Sequence, residues 1–329
     1  MTQQASDGST AIEVVGLTKR YDTVDAISDI NFQIKTGEIF GLLGPNGAGK
    51  TTTLRILITV LTPTSGSARV HGFDVCREAT KVRRIIGYVP QERAIDRFLS
   101  GREHLLLLGD LYHLSKQDTL RRIDEILKLV NLEDKADQRA RDYSGGMKRK
   151  LDIACGLIPD PKVLFMDEPT LGLDVESRLR IWEHVLGLKE RGITVVLTTN
   201  YLDEADQLCD RVAIIDEGKV RVIGSPKKLK ADLGGDGISL ALLESEREID
   251  TLMSSLQALP GIRTVKANGA GLDIRVDTAE AALPRVLETV AKSGHGVDAI
   301  DYHRPRLDDV FVAHTGHAFR NEASVNTDG

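Results

Sequence analysis

Residues 44–52 read Gly44-Pro45-Asn46-Gly47-Ala48-Gly49-Lys50-Thr51-Thr52, a complete G-x-x-x-x-G-K-[ST] pattern directly after the apolar run Ile39-Phe40-Gly41-Leu42-Leu43. A strand that feeds a glycine loop and then a helix, predicted here over Thr51–Leu61, aims backbone N–H groups and the positive end of a helix at one point. A polyphosphate fits there. Gly44, Gly47 and Gly49 let the main chain curl without a Cβ in the way, and Pro45, Asn46, Ala48 and Thr52 complete the cradle. Lys50 offers positive charge to the β- and γ-phosphates, and the Thr51 hydroxyl is a hard oxygen ligand suited to Mg2+. The pattern predicts binding of a nucleoside triphosphate. A glycine turn before an ordinary helix is the bland alternative, and the strand–loop–helix context argues against it.

A chain of 329 residues has room for one large core and a smaller second unit. With 41% hydrophobic and 28% charged residues, and no apolar run near the roughly 20 residues of a bilayer crossing, no membrane span is expected. The polar stretch Met1–Thr10 lacks the basic start and apolar core of a secretion signal, which predicts a cytoplasmic protein. A net charge of −6 gives no electrostatic footprint for nucleic acid. The three cysteines, Cys76, Cys155 and Cys209, are far apart and form no C-x-x-C pair, so they read as reduced packing residues.

Apolar runs at Val14-Val15, Ile85–Val89, Val163–Met166 and Thr194–Leu197 alternate with helical patterns, which predicts an α/β domain. Glu103–Val130 reads as mostly helical, with Leu120, Ile123, Leu127 and Val130 on one stripe of a helix over Asp118–Val130. Val212–Ile215 and Val220–Ile223, joined by Asp216-Glu217-Gly218-Lys219, read as a closing hairpin. A short basic helix at Lys227–Ala231 then leads to the linker Gly234-Gly235-Asp236-Gly237. Beyond it the order is strand Ile238–Leu243, helix Glu246–Leu256, strand Arg263–Ala267, turn Asn268-Gly269, strand Leu272–Val276, helix Ala279–Lys292 and strand Val297–Tyr302. That βαββαβ order predicts a small α+β ferredoxin-like module. The polar residues 319–329 read as a disordered tail.

Two further stretches carry chemistry. Val163-Leu164-Phe165-Met166 ends in the adjacent acids Asp167 and Glu168. A strand tip in such a sheet lies beside the first βα loop, so Asp167 is predicted to hold the water shell of Mg2+ and Glu168 to orient and deprotonate an attacking water. Acids that merely end a strand are the alternative. Between the two motifs, Ser144-Gly145-Gly146 opens a helix running to Leu157. Ser144 suits an N-cap, and the glycines leave N–H groups unobstructed at a positive helix end, which makes a second phosphate cradle. A plain helix cap is the competing reading.

With these motifs in order across residues 12–224, the chain resembles the ATPase subunit of an ATP-binding cassette (ABC) transporter. The resemblance implies a P-loop NTPase cassette at residues 11–232 with a helical subdomain at about 92–157, an accessory domain at 236–318, and ATP and Mg2+ as ligands. It also implies that two cassettes close head to tail, so that Ser144, Gly145 and Gly146 of one subunit reach the γ-phosphate held by Lys50 of the other. Gln91 in Tyr88-Val89-Pro90-Gln91 matches the glutamine that touches Mg2+ and reports to the membrane partner. Tyr21, 23 residues before Gly44, matches the aromatic that stacks on adenine, and Asp174 in Leu171-Gly172-Leu173-Asp174 matches the loop between paired sites. The run Arg304-Pro305-Arg306-Leu307-Asp308-Asp309-Val310-Phe311 resembles the tail of drug-resistance ATPases of the daunorubicin-exporter type, which work with a separately encoded permease. The same run also reads as an amphipathic helix with Leu307, Val310, Phe311 and His314 covering the small domain. The implied place is the inner face of the cell membrane, without a covalent membrane anchor, beside a second cassette, with no nucleic acid bound.

The chain departs from that family where Thr198-Thr199-Asn200-Tyr201 follows the strand Thr194–Leu197, because Asn200 stands where a histidine normally bonds the γ-phosphate. Asparagine donates a hydrogen bond but carries no proton or charge near neutral pH. Asn200 also suits an N-cap of a helix over Tyr201–Leu208. Tyr143 and Met147 replace a commoner leucine and glutamine beside Ser144-Gly145-Gly146, and both read as variation in how the helix packs or meets the permease. A cassette ATPase acting on DNA or translation is disfavoured, since only 94 residues separate Lys50 from Gly145, without sustained heptads, and there is one cassette. A non-hydrolysing nucleotide sensor is supported by Asn200 alone.

Overall fold

The computed structural model describes residues 10–243, 249–269 and 271–319. They fall into two compact units, divided between Pro226 and Lys227.

The first unit opens with two long strands, β1 (Thr10–Tyr21) and β2 (Val24–Lys35), joined through a tight turn at which Asp22 takes a φ of +49°. Then come β3 (Ile39–Leu43), helix α1 (Lys50–Leu57), β4 (Ser65–Val70), β5 (Phe73–Asp74), α2 (Ala79–Arg83) and β6 (Ile86–Val89). The helical segment holds α3 (Gly101–Leu111), α4 (Lys116–Leu129) and α5 (Gly145–Leu157). It is followed by β7 (Val163–Asp167), α6 (Val175–Glu190), β8 (Thr194–Thr199), α7 (Leu202–Leu208), β9 (Arg211–Asp216) and β10 (Lys219–Gly224).

Two sheets sandwich the core. An antiparallel sheet runs β2-β1-β4-β5, and a six-stranded sheet runs β10-β9-β3-β8-β7-β6, parallel except for β10. The interior strands β3, β7 and β8 are buried at every position, as strands covered on both faces are, with apolar runs that give way to polar residues only at Asp167 and at Thr194, Thr198 and Thr199 on the strand ends. Phe32 and Phe40 stack between the sheets with ring centroids 5.4 Å apart, while Leu54, Ile56 and Leu57 of α1 fill the same core. This packing fixes the loop between β3 and α1 at the C-terminal edge of the parallel strands, beside the ends of β7 and β8.

The stretch Glu103–Val130 is mostly helical, as expected, and consists of two helices. α3 stops at Tyr112, His113 turns with a φ of +55°, and Ser115 starts α4 by accepting from Asp118 N. The expected stripe of α4 is rotated as well. Ile123, Leu127 and Val130 are buried, but Leu120 is 42% exposed and Thr119 and Ile126 face the core instead. The helix after the phosphate loop ends at Leu57 rather than Leu61. No described helix is long and apolar enough to cross a membrane.

The second unit follows α8 (Pro226–Leu233) with β11 (Asp236–Leu242), α9 (Ile249–Gln257), β12 (Ile262–Asn268), β13 (Gly271–Val276), α10 (Ala279–Lys292), β14 (Val297–His303) and α11 (Leu307–Thr315). Its sheet is antiparallel with order β12-β13-β11-β14, the split arrangement that the βαββαβ pattern predicts. Ile238, Leu240, Leu272 and Ile274 face Leu252, Leu256, Val286 and Val290 of the two helices. Glu246, expected to open α9, and residues 320–329 of the expected tail lie outside the described residues. In α11 Leu307, Val310 and Phe311 are buried, but His314 is exposed and does not join that stripe.

Candidate functional site

A cavity of about 340 Å³ opens over the phosphate loop, lined by residues 46–52 together with Ala26, Gln91, Glu168, Leu171 and Asn200. The loop is shaped by glycine where no other residue fits. A Cβ on Gly44 would stand 2.1 Å from the Ile215 carbonyl oxygen, and Gly49, at a φ of +102°, would meet the Ala26 carbonyl at 2.7 Å. Gly49 is also the N-cap of α1, with no side chain bonded to the first-turn amides and no acid in that turn. The N–H groups at this positive end therefore point to the cavity uncompeted for.

Lys50 is buried, and its Nζ donates to Gly44 O at 2.8 Å and Pro45 O at 3.0 Å. It stands 3.5 Å from Glu168 Oε1. Burial pushes the Lys50 pKa down while Glu168 and Asp167 oppose the shift. The Thr51 hydroxyl donates to Asp167 Oδ1 at 3.1 Å, so phosphate loop and acid strand meet at one oxygen. Gln91 Nε2 donates to Glu168 Oε2 at 3.0 Å. Lys50, Thr51, Gln91, Asp167, Glu168 and Asn200, spread over 151 positions of sequence, thus gather around one cavity.

Glu168 carries a left-handed backbone, with a φ of +45°, a conformation that costs a non-glycine residue about 1 kcal/mol or more. Neighbours that sequence reading did not single out hold it there. Thr198 Oγ1 donates to Asp167 Oδ1 at 2.6 Å and accepts from Glu168 N at 3.0 Å. Arg149, buried in α5, donates to the carbonyls of Pro90, Asp167, Glu168 and Pro169 at 2.6–3.2 Å. Its guanidinium lies 3.6 Å from Asp152, whose pKa burial pushes up to about 6 against the pull of Arg149. The only trace of Thr198 in the sequence is its place at the strand end before Asn200. Arg149 is visible only as a charge inside a helix with a buried face.

Asn200 is buried, and its Oδ1 makes no hydrogen bond. It does not cap α7. The N-cap is Tyr201, whose amide bonds Thr199 Oγ1 instead. An amide end in a polar cavity without a partner costs about 1–3 kcal/mol unless a ligand or water meets it.

The other expected site residues stand elsewhere in the chain. Ser144 caps α5 by accepting from Met147 N at 3.2 Å, Gly145 lies against Arg93, and Gly146 lies against Ser177. Asp174 caps α6, with both carboxylate oxygens taken by Ser177. Tyr21 is 45% exposed, with the Lys19 ammonium 5.1 Å from its ring centroid. None of these five lines the cavity. Tyr143 is a buried packing residue whose hydroxyl bonds Lys135 O at 2.6 Å.

A doubly flanked parallel sheet with a phosphate loop, an acid pair at the neighbouring strand tip and a glutamine reaching that pair defines a nucleotide-hydrolysing cassette. Residues 27–171 match the ABC transporter family, and residues 224–315 match the C-terminal domain of ATP-binding proteins like DrrA1-3. The daunorubicin resistance ATP-binding protein DrrA3 of Streptomyces coeruleorubidus is 43% identical, over 93% of this chain and 96% of its own length. The doxorubicin resistance ATP-binding protein DrrA of Mycobacterium tuberculosis is 38% identical, over 93% of each chain. Among solved structures, an ATP-binding subunit of an ABC transporter superposes with a TM-score of 0.61 at 30% identity, over 68% of this chain and 93% of its own. A dimeric cassette in a post-hydrolysis state with ADP and Pi superposes at 0.58 with 28% identity, over 65% and 98%. The chain belongs to the ATP-hydrolysing subunits of ABC transporters, in the branch that carries the DrrA-type C-terminal domain.

Proposed function

We propose that this chain drives an exporter of drugs, lipids or similar compounds, with a separately encoded permease moving the cargo and two cassettes closing on ATP to move the permease. The convergence of Lys50, Thr51, Gln91, Asp167, Glu168 and Asn200 on one cavity carries the reading. The names of the similar daunorubicin and doxorubicin resistance proteins support drugs among those cargoes.

Mg2+ fits the site. Thr51, Asp167 and Gln91 offer hard oxygens, and Asp167 Oδ1 already draws two hydroxyl donors, from Thr51 and Thr198. When bound there, the ion neutralises charge on the β- and γ-phosphates. The protein's own groups do the rest. The amides of residues 46–52 and the Lys50 ammonium, whose bonds to Gly44 O and Pro45 O aim it across the loop, hold the triphosphate. Glu168, oriented by Thr198 and Gln91, accepts the proton of a water attacking the γ-phosphate. Asn200 donates from its amide nitrogen to that phosphate. Ser144, Gly145 and Gly146 belong to a second cradle that faces another copy or a related cassette, Asp174 lies between the paired sites, and Tyr21 stacks on adenine. The cassette spans 11–232 and the accessory domain 236–318, and the assembly sits on the inner face of the membrane.

Glu168→Gln tests the chemistry. The variant is expected to bind ATP, to persist as a closed dimer and to lose turnover by about a hundredfold or more. Turnover at the wild-type rate removes Glu168 as the base. Recovery of a polytopic membrane protein with the chain from solubilised membranes supports the permease, and recovery with ribosomes or DNA alone rejects it.

A further inference from the structure

Glu204 lies in α7, four residues after Asn200, with none of its surface exposed. Its Oε1 accepts two hydrogen bonds from different segments. Thr170 Oγ1 donates at 2.8 Å, and the Trp182 indole N–H donates at 3.1 Å. Thr170 belongs to the loop that runs from Glu168 to Asp174, and Trp182 sits on α6, the helix that Asp174 caps. Burial raises the Glu204 pKa, and the neighbouring Thr199, Thr170 and Trp182 donors only partly oppose the shift. Tyr201, directly after Asn200, lies with its ring centroid 4.6 Å from the Arg178 guanidinium of α6. One carboxyl group therefore joins the turn that carries Asn200 to the loop and helix that carry Asp174.

A carboxyl in this position is expensive. Its Oε2 makes no hydrogen bond, and apolar packing of the same volume would avoid that desolvation. The group holds its place through geometry rather than stability, since no apolar side chain accepts from a loop and a helix at once.

We propose that Glu204 is a positioning residue. It makes the Asn200 turn and the Thr170–Asp174 loop move as one body when nucleotide closes the site, and Trp182, bonded to the same oxygen, reports that movement. The inference rests on the functional reading given above for Asn200 and Asp174. Trp182 is the sole tryptophan of the chain, so its emission is unambiguous.

The test uses the purified full-length chain with Mg·ATP. Wild type shows a nucleotide-dependent change in tryptophan emission, and Trp182→Phe abolishes it. Glu204→Gln, which keeps the Oε1 acceptor, retains kcat within about threefold, whereas Glu204→Leu lowers kcat about tenfold or more while KM for ATP stays within about threefold. Its emission change on Mg·ATP falls to less than about half that of wild type, because the indole no longer shares an oxygen with the Asn200 turn. Thr170→Val, which deletes one donor at constant shape, reproduces the split between kcat and KM if Glu204→Leu does not fold. Unchanged kcat in the folded variants, equal losses in Glu204→Gln and Glu204→Leu, or a wild type that turns ATP over with no emission change overturns the coupling. A wild type that does not bind Mg·ATP overturns the ATPase reading itself, and the coupling falls with it.

Discussion

Thr198→Val removes one hydroxyl from the centre of the site and keeps its shape. The lost bond to Asp167 spans 2.6 Å in a fully buried setting and ends on a carboxylate, so its removal costs about 1.5–3 kcal/mol. The Glu168 amide loses its 3.0 Å bond to Thr198 Oγ1 but keeps one to Thr198 O at 3.1 Å, so no orphaned donor adds to the cost. A net loss of about 2–3 kcal/mol in a unit of this size lowers the melting temperature by roughly 5–10 °C. The left-handed Glu168 also loses a tether, and a misplacement of about 1 Å in a catalytic group lowers turnover by up to about a hundredfold. Thermal unfolding and steady-state ATPase assays on Thr198→Val and Thr198→Ser check both numbers. Serine restores the hydroxyl and is expected to recover most of each. The reasoning fails if the valine variant melts within about 1 °C of wild type, or if serine and valine behave alike.

Asp152 gives a pH test. Its pKa rises from 3.8 in the unfolded chain to about 6 in the fold, so the folded state binds the extra proton, and stability drops as pH rises through the window between those values. The full effect is about 3 kcal/mol, and Asp152→Asn should gain on wild type between pH 5 and 7 by about 1 kcal/mol in urea unfolding, with a parallel pair of curves as the refuting result. Gly44→Ala places a Cβ against Ile215 O and is expected to abolish ATP binding or folding, and wild-type binding would show that the loop relaxes freely. Asn200→His restores a charge-assisted contact and should raise turnover about tenfold, while an unchanged or lower rate counts against a γ-phosphate role for this position.

The parts of this protein that were legible in its sequence are those whose meaning lies in local spacing. The glycine loop, the acid pair after an apolar strand and the βαββαβ order each sit within a short window, and a period of two or a fixed turn residue betrays them. The supports of the site are written across long separations. Thr198 bonds Asp167 31 positions away, and Arg149 reaches Pro90 59 positions away, so neither is visible until the strands are adjacent. The antiparallel hairpin of β1 and β2 was reduced to Val14-Val15, since its strands are broken by register shifts and polar residues on their open face. Leu120 illustrates the limit of periodicity, since a stripe of leucine spacing fixes a helix but not its rotation. Thr119 and Ile126 won the core face instead.

Arg149 has a mechanical consequence. A planar cation that spends its donors on four main-chain oxygens of two separate segments is a rivet, and it is driven through the same stiff rod whose first turn is Ser144-Gly145-Gly146. Lysine, with three donors and no rigid fork, leaves at least one oxygen bare. Any tilt imposed on the open end of that rod is therefore delivered, about one turn along, to the backbone under Asp167 and Glu168, with no loop in between to absorb it.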